Sequence, residues 1–170
     1  SPGKDKPKKV EEHRKDPRLT KGPIIVSIDT SGSMSGRPQK IAFSLLKQLL
    51  RMAKKQKRPC YLISFSVRSK SIDLAKPRNW RMIDNFLEHS YSGGTDGEQM
   101  LAEAIHVLQK GTYEMADVLI VSDFEFPVPN PSTMEKIDKE KTLGTRFYGL
   151  KIGHYGLKGY KLIMDKIWEV

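Results

Sequence analysis

Two apolar runs that each end in an aspartate constrain this chain most: Ile24-Ile25-Val26-Ser27-Ile28-Asp29 and Ala116-Asp117-Val118-Leu119-Ile120-Val121-Ser122-Asp123. Near-continuous apolar runs of this length suit strands covered on both faces, as in a parallel sheet. Each gives way to a polar, turn-rich stretch, so Asp29 and Asp123 are expected at the carboxyl ends of their strands. Two such strands in one small α/β domain read as neighbours at the centre of the sheet. There the connections diverge and leave a crevice in which ligands bind. Two carboxylates facing each other across that crevice repel. A cation between them removes the penalty, and a raised pKa on one of them is the alternative.

The loop after Asp29 adds two hydroxyls at two-residue spacing, Ser31 and Ser33. Three side-chain oxygens on one tight loop, only one of them charged, suit a hard cation such as Mg²⁺, which takes oxygen ligands and keeps some of its waters. Read alone, the same pattern also describes an Asx or Ser turn with solvated hydroxyls. A second loop, Ser92-Gly93-Gly94-Thr95-Asp96, offers Thr95 just ahead of a helix. The Gly pair permits a close backbone approach, and Asp96 is placed to cap the helix. Thr95 by itself reads equally as a capping hydroxyl.

The chain of 170 residues suits one domain with a proper core. It opens on Ser rather than Met, which reads as a fragment or a processed product. Residues 1–21 mix Lys, Asp, Glu, Arg and Pro with little that is apolar, and read as a solvated basic arm, linker or tag remnant. The folded domain is expected over 22–170. No apolar stretch approaches the ~20 residues that a membrane span requires. Cys60 is the one cysteine, which leaves no internal disulfide framework and fits a reducing cytoplasm; it opens an apolar run and reads as a core residue. His13, His89, His106 and His154 show no zinc-ligand spacing.

The net charge of +10 is concentrated: residues 37–58 carry eight Lys or Arg and no acid. Ile41, Ala42, Leu45, Leu46, Leu49, Met52 and Ala53 share one face at helical spacing, with Lys40, Lys47, Arg51, Lys54 and Arg58 in a stripe opposite. The stripe reads as a solubilising face, or as a docking surface for an acidic partner, an anionic membrane or nucleic acid. No run of exposed aromatics accompanies it, which disfavours single-stranded nucleic acid. Strands are further expected near 60–66, 67–74 (an antiparallel edge), 145–152 and 166–170. Helices are expected near 79–89, 97–110, 132–142 with Ser132 as a cap, and 160–165. Phe124 and Phe126, in the Pro-rich loop after Asp123, are read either as exposed beside the site or as anchors of the loop.

Asp29-x-Ser31-x-Ser33, then Thr95, then Asp123 resembles the metal-ion-dependent adhesion site of von Willebrand factor A (VWA) domains. The resemblance covers residues 23–170. It implies a Rossmann-like three-layer α/β fold, with a mostly parallel sheet, one antiparallel edge strand and helices on both faces. It also implies Mg²⁺, with Mn²⁺ or Ca²⁺ as substitutes. Ser31, Ser33 and Thr95 would be hydroxyl ligands, Asp29 and Asp123 would act directly or through water, and one position would stay open for a partner's Glu or Asp. The phrases Lys21-Gly22-Pro23-Ile24, Val121-Ser122-Asp123-Phe124 and Ile167-Trp168 are similar to the carboxyl-terminal domain of ViaA/CoxE-type proteins, which work with MoxR-class AAA+ ATPases. The basic helix lies outside that metal signature.

The expected function is a non-catalytic, Mg²⁺-dependent protein-binding module, monomeric on its own, since no nucleophile, general base or third catalytic group accompanies the oxygens. The enzyme alternative is a Mg²⁺-dependent phosphohydrolase with Asp29 as nucleophile; its pattern wants a second Asp at the position held by Ser31. A third reading is nucleic-acid binding through residues 37–58, which would weaken steeply with salt.

Overall fold

A computed structural model describes residues 21–88, 93–153 and 158–170. The two aspartate-terminated runs form β1 (Ile24–Asp29) and β4 (Asp117–Ser122). They pair in parallel with Ile28 opposite Val121. The remaining strands are β2 (Cys60–Phe65), β3 (Ser69–Asp73), β5 (Arg146–Lys151) and β6 (Lys166–Glu169). The sheet order is β3-β2-β1-β4-β5-β6, and β3 alone is antiparallel to its neighbour. β1 and β4 are therefore the central pair. The chain leaves one toward β2 and the other toward β5, so their carboxyl ends flank the expected crevice.

Among the described residues four α-helices cover the sheet: α1 (Arg37–Lys55), α2 (Ile83–Leu87), α3 (Gly97–Leu108) and α4 (Pro131–Thr142). Two hydrophobic clusters lie on opposite faces. α1 packs Ala42, Leu46, Leu50 and Ala53 against Val26, Ile28 and Leu62. α3 contributes Met100, Leu101, Ala104 and Ile105 to a cluster with Ile25, Ile63, Val118 and Ile120. Cys60 is buried, its thiol pushed up to about 12 by desolvation, as a core residue requires.

Several boundaries differ from the sequence expectation for local reasons. α1 stops at Lys55 rather than running on to Arg58. Lys57 takes the left-handed conformation at φ 55°, and Arg58 N–H donates to Ala53 O while Lys57 N–H donates to Lys54 O. That is a Schellman closure with Lys where Gly is usual. The expected helix near 79–89 begins as a 3₁₀ turn, Pro77–Met82, before α2. α4 is capped by Asn130, whose side chain accepts from Thr133 N–H at 2.9 Å, rather than by Ser132; Pro131 then fills the first turn. A 3₁₀ turn, Lys158–Leu162, stands in place of a short α-helix at 160–165. His89 and His154 lie outside the described residues.

The basic stripe is not a uniform free surface. Arg58 lies beyond the helix, where it donates to Gly22 O at 2.6 Å and to the Asp117 carboxylate at 3.0 Å, with its side chain only 13% exposed. Lys54 sits over the Trp80 ring, and Lys47 lies 4.0 Å from Asp84. Lys40 and Arg51 are exposed. Arg58→Ala is expected to lower stability by about 1–3 kcal/mol through loss of these charge-assisted hydrogen bonds. Lys40→Ala should stay within about 0.5 kcal/mol. Chemical denaturation of the two variants checks both.

Candidate metal centre

Three loops meet at the carboxyl ends of β1, β2 and β4, and backbone hydrogen bonds set their arrangement. Thr30 N–H donates to Phe65 O at 2.8 Å, which continues the β1–β2 ladder into the Asp29 loop. Gly32 N–H donates to Gly93 O at 3.2 Å, and Asp96 N–H to Ser66 O at 2.6 Å. Gly93, at φ +82°, supplies the left-handed turn that carries its carbonyl to Gly32. These contacts draw the loop bearing Thr95 to the loop bearing Ser31 and Ser33. Asp96 accepts from Gln99 N–H at 3.0 Å as the cap of α3, the structural task expected of it.

Asp29 is only 1% exposed and Asp123 only 5%. Asp29 Oδ1 accepts from Ser31 N–H at 2.9 Å, and Oδ2 accepts from Ser122 Oγ–H at 2.6 Å. Burial raises the pKa of Asp29 above the usual carboxylate range. The Ser122 and Ser31 hydrogen bonds oppose that shift, and the negative charge of Asp123 adds to it. Ser31 Oγ and Ser33 Oγ lie 3.2 Å apart, and Asp123 Oδ1 accepts from Glu125 N–H at 3.0 Å. Among the described residues no Lys, Arg or His forms an ion pair with Asp29 or Asp123.

This arrangement fits a hard cation. A buried carboxylate is costly unless a positive charge compensates it, and a second carboxylate is close enough to disfavour its ionisation. The polar atoms beside them are hydroxyl oxygens. Among the described residues no three His, Cys, Asp or Glu side chains cluster, so nothing there builds a nitrogen–sulfur site. A cation held by these oxygens would offset the repulsion between Asp29 and Asp123.

Ser122 is a participant that the sequence reading passed over. It is fully buried, donates to Asp29 and accepts from Phe124 N–H at 2.8 Å, so it ties β4 to the β1 carboxylate. The register carried the signal: with Ile28 opposite Val121, residue 122 stands beside residue 29. Phe124 and Phe126 are not exposed beside the site; they are 1% and 6% exposed. Phe126 meets the rings of Phe65 and Tyr160 edge-on, at 5.9 and 4.8 Å, and Phe124 lies 5.8 Å from Tyr160. The two rings anchor the loop beneath the crevice. Phe124 holds φ 57°, a conformation bulky residues rarely adopt, immediately after Asp123.

No protein-family model matches the chain. Among solved structures it superposes on the SpRpn10 VWA domain with a TM-score of 0.67 and 9% identity, over 89% of this chain and 88% of the other. Proximal thread matrix protein 1 from the mussel byssus, solved with a zinc-occupied MIDAS motif, aligns with a TM-score of 0.66 and 16% identity, over 89% of this chain and 44% of the other. The chain has the von Willebrand factor A fold, Rossmann-like with one antiparallel edge strand.

Its sequence relatives are more particular. The regulatory protein ViaA of Edwardsiella ictaluri is 30% identical over 152 residues, which covers 88% of this chain and 31% of the relative. The domain is related to ViaA, and it spans about a third of the length of the curated relatives it matches. No described helix is long and apolar enough to cross a membrane.

Proposed function

We propose that the crevice between β1 and β4 binds Mg²⁺ and, through it, an acidic side chain of a protein partner. Ser31, Ser33 and Thr95 would supply hydroxyl oxygens, and Asp29 and Asp123 would act directly or through water. Mn²⁺ or Ca²⁺ could substitute. The observation that carries this reading is Asp29: a carboxylate 1% exposed, beside a second carboxylate, with hydroxyls and, among the described residues, no cationic side chain to balance it. The metal, when bound, supplies a Lewis-acidic position for a partner's Glu or Asp. The protein's part is to fix the oxygens and keep the carboxylates desolvated.

The similarity to a protein named regulatory protein ViaA supports a regulatory role. In this reading the domain is a non-enzymatic adaptor acting in the cytoplasm, with a MoxR-class AAA+ ATPase as the partner. The phosphohydrolase alternative is weaker, since Ser31 replaces the second acid and both oxygens of Asp29 already accept hydrogen bonds. Nucleic-acid binding by the stripe is weaker too, since Arg58, Lys54 and Lys47 are engaged within the fold.

Capture of the ATPase by the immobilised domain, with and without EDTA and beside Asp29→Ala, tests the reading. Binding should fall at least about tenfold under either treatment, some 1.4 kcal/mol or more. Capture that persists unchanged in EDTA would overturn it. Ser122→Ala removes a partner of Asp29 rather than a ligand, so Mg²⁺ affinity measured by calorimetry should drop by roughly 10–100-fold with the fold retained.

A further inference from the structure

The crevice opens on one side. Asp29, Ser31 and Asp123 are buried, whereas Thr95 is half-buried and Ser33 is exposed, so its mouth lies between the loops that carry Ser33 and Thr95. The short link from β2 to β3 stands on the Thr95 side of that mouth. Ser66 N–H donates to Arg68 O at 2.9 Å, and Asp96 N–H donates to Ser66 O at 2.6 Å. Ser69 N–H donates to the Gln99 side-chain oxygen at 2.7 Å. These bonds clamp Ser66, Val67 and Arg68 against the loop that carries Thr95 and the first turn of α3.

Val67, at the tip of the link, is 54% exposed. Turn tips ordinarily carry Gly, Asn, Asp, Pro or Ser rather than a β-branched apolar residue. Its Cγ1 methyl faces the exposed Gly93–Gly94 pair: a Cβ on either glycine would lie 3.7 Å from it. The glycines therefore leave a notch over their backbone, with Val67 as its apolar wall. Gly93 O accepts from Gly32 N–H, so the notch adjoins the loop that carries Ser31 and Ser33.

Positive charge stands beside this notch. Arg68 is exposed next to Val67, and Arg37 is exposed at the start of α1, just beyond the Ser33 loop. Among the described residues neither forms an ion pair. Glu125, exposed on the loop after β4, lies across the crevice from them. A carboxylate that approaches the crevice from the β1–β2 side thus passes one apolar wall and two arginines.

We infer that this mouth, which rests on the metal reading above, selects an acidic segment of a partner protein by more than the carboxylate that reaches the ion. An apolar residue beside that Glu or Asp packs on Val67 over the Gly93–Gly94 backbone, and a second acid of the segment meets Arg68 and Arg37. The ion accepts any carboxylate, so discrimination among acidic segments falls to the side chains around it. The arginines attract an acidic segment and reject a basic one.

Calorimetry of Mg²⁺ with the whole chain is the first arm of the test; no Mg²⁺ binding would overturn the metal reading and this surface with it. Three labelled peptides of about ten residues, each with one central Glu, are then compared by anisotropy in Mg²⁺ at low salt. The first has Leu next to the central Glu and a second Glu nearby. The second peptide replaces that Leu by Ser, and the third replaces the second Glu by Lys. The first should bind at least about fivefold tighter than the second, through apolar burial against Val67. It should bind at least about tenfold tighter than the third. EDTA should abolish its binding. Val67→Ser should erase the preference for Leu while leaving Mg²⁺ affinity at the parent value, and Arg68→Glu should narrow the gap between the first and third peptides. Both variants change exposed side chains and should keep the parent circular dichroism. Equal binding of the Leu and Ser peptides, a Leu preference that survives Val67→Ser, or no peptide binding while Mg²⁺ still binds would overturn the surface and leave the metal site standing.

Discussion

Asp29→Asn is expected to make the metal-free domain more stable while abolishing its response to Mg²⁺. In the metal-free protein Asp29 is a buried carboxylate beside Asp123, and no described cationic side chain offsets it. Asn keeps the shape and can still accept from Ser31 N–H. Its amide nitrogen would donate to Ser122 Oγ in place of accepting from it, so the variant loses charge repulsion without opening a cavity. A gain of about 1–3 kcal/mol, or several degrees in midpoint for a domain of this size, follows from neutralising such a group. The parent should gain about 2.7 kcal/mol from Mg²⁺ at a hundred times its dissociation constant, and the variant nothing. Thermal melts in EDTA and in excess Mg²⁺ measure both halves. A variant less stable than the parent in EDTA, or still stabilised by Mg²⁺, would show that Asp29 is not a carboxylate poised for a cation.

The second large effect concerns Gly97, the first residue of α3. A Cβ there would fall on the Tyr160 hydroxyl oxygen and within 2.9 Å of the Phe126 ring. Both side chains are buried and held in the aromatic cluster under the crevice, so neither has open space to enter. Gly97→Ala is expected to cost about 1–3 kcal/mol despite the better helix propensity of Ala, because overpacking outweighs it. The Tyr160 hydroxyl has no hydrogen-bond partner among the described residues. Tyr160→Phe should therefore be close to neutral, and it should recover part of the loss when combined with Gly97→Ala. The double-mutant cycle, read by urea denaturation, reports that coupling directly. Additive costs would mean the helix start moves away from the cluster.

The sheet's central pair was readable because β1 and β4 are apolar runs that each lead into an aspartate, a combination that β2, though equally buried, lacks. That Ser31 and Ser33 bring their hydroxyls together on the Asp29 loop was readable for another reason: their spacing is local. Ser122 was not, because a serine inside a strand looks like an interruption until a neighbour's carboxylate is placed beside it. Phe124 and Phe126 could not be assigned from the loop alone, since their burial depends on Tyr160, which arrives from a turn over thirty residues later. The reach of α1 was overestimated because its basic periodicity carries on smoothly through Lys57. Only that residue's left-handed backbone, which its identity does not advertise, ends the helix.

The distance along the chain between the two halves of the crevice has a further consequence. Asp29 and its hydroxyl donor Ser122 are 93 residues apart, so no short stretch can assemble the oxygens by itself. A nascent or nicked chain that has made β1 through β3 but not β4 has only half a site. If the crevice binds Mg²⁺ as proposed, its affinity for the ion would serve as a gauge of completed assembly, and an adaptor that engages its client only through the ion would hold its grip back until the central pair has zipped shut.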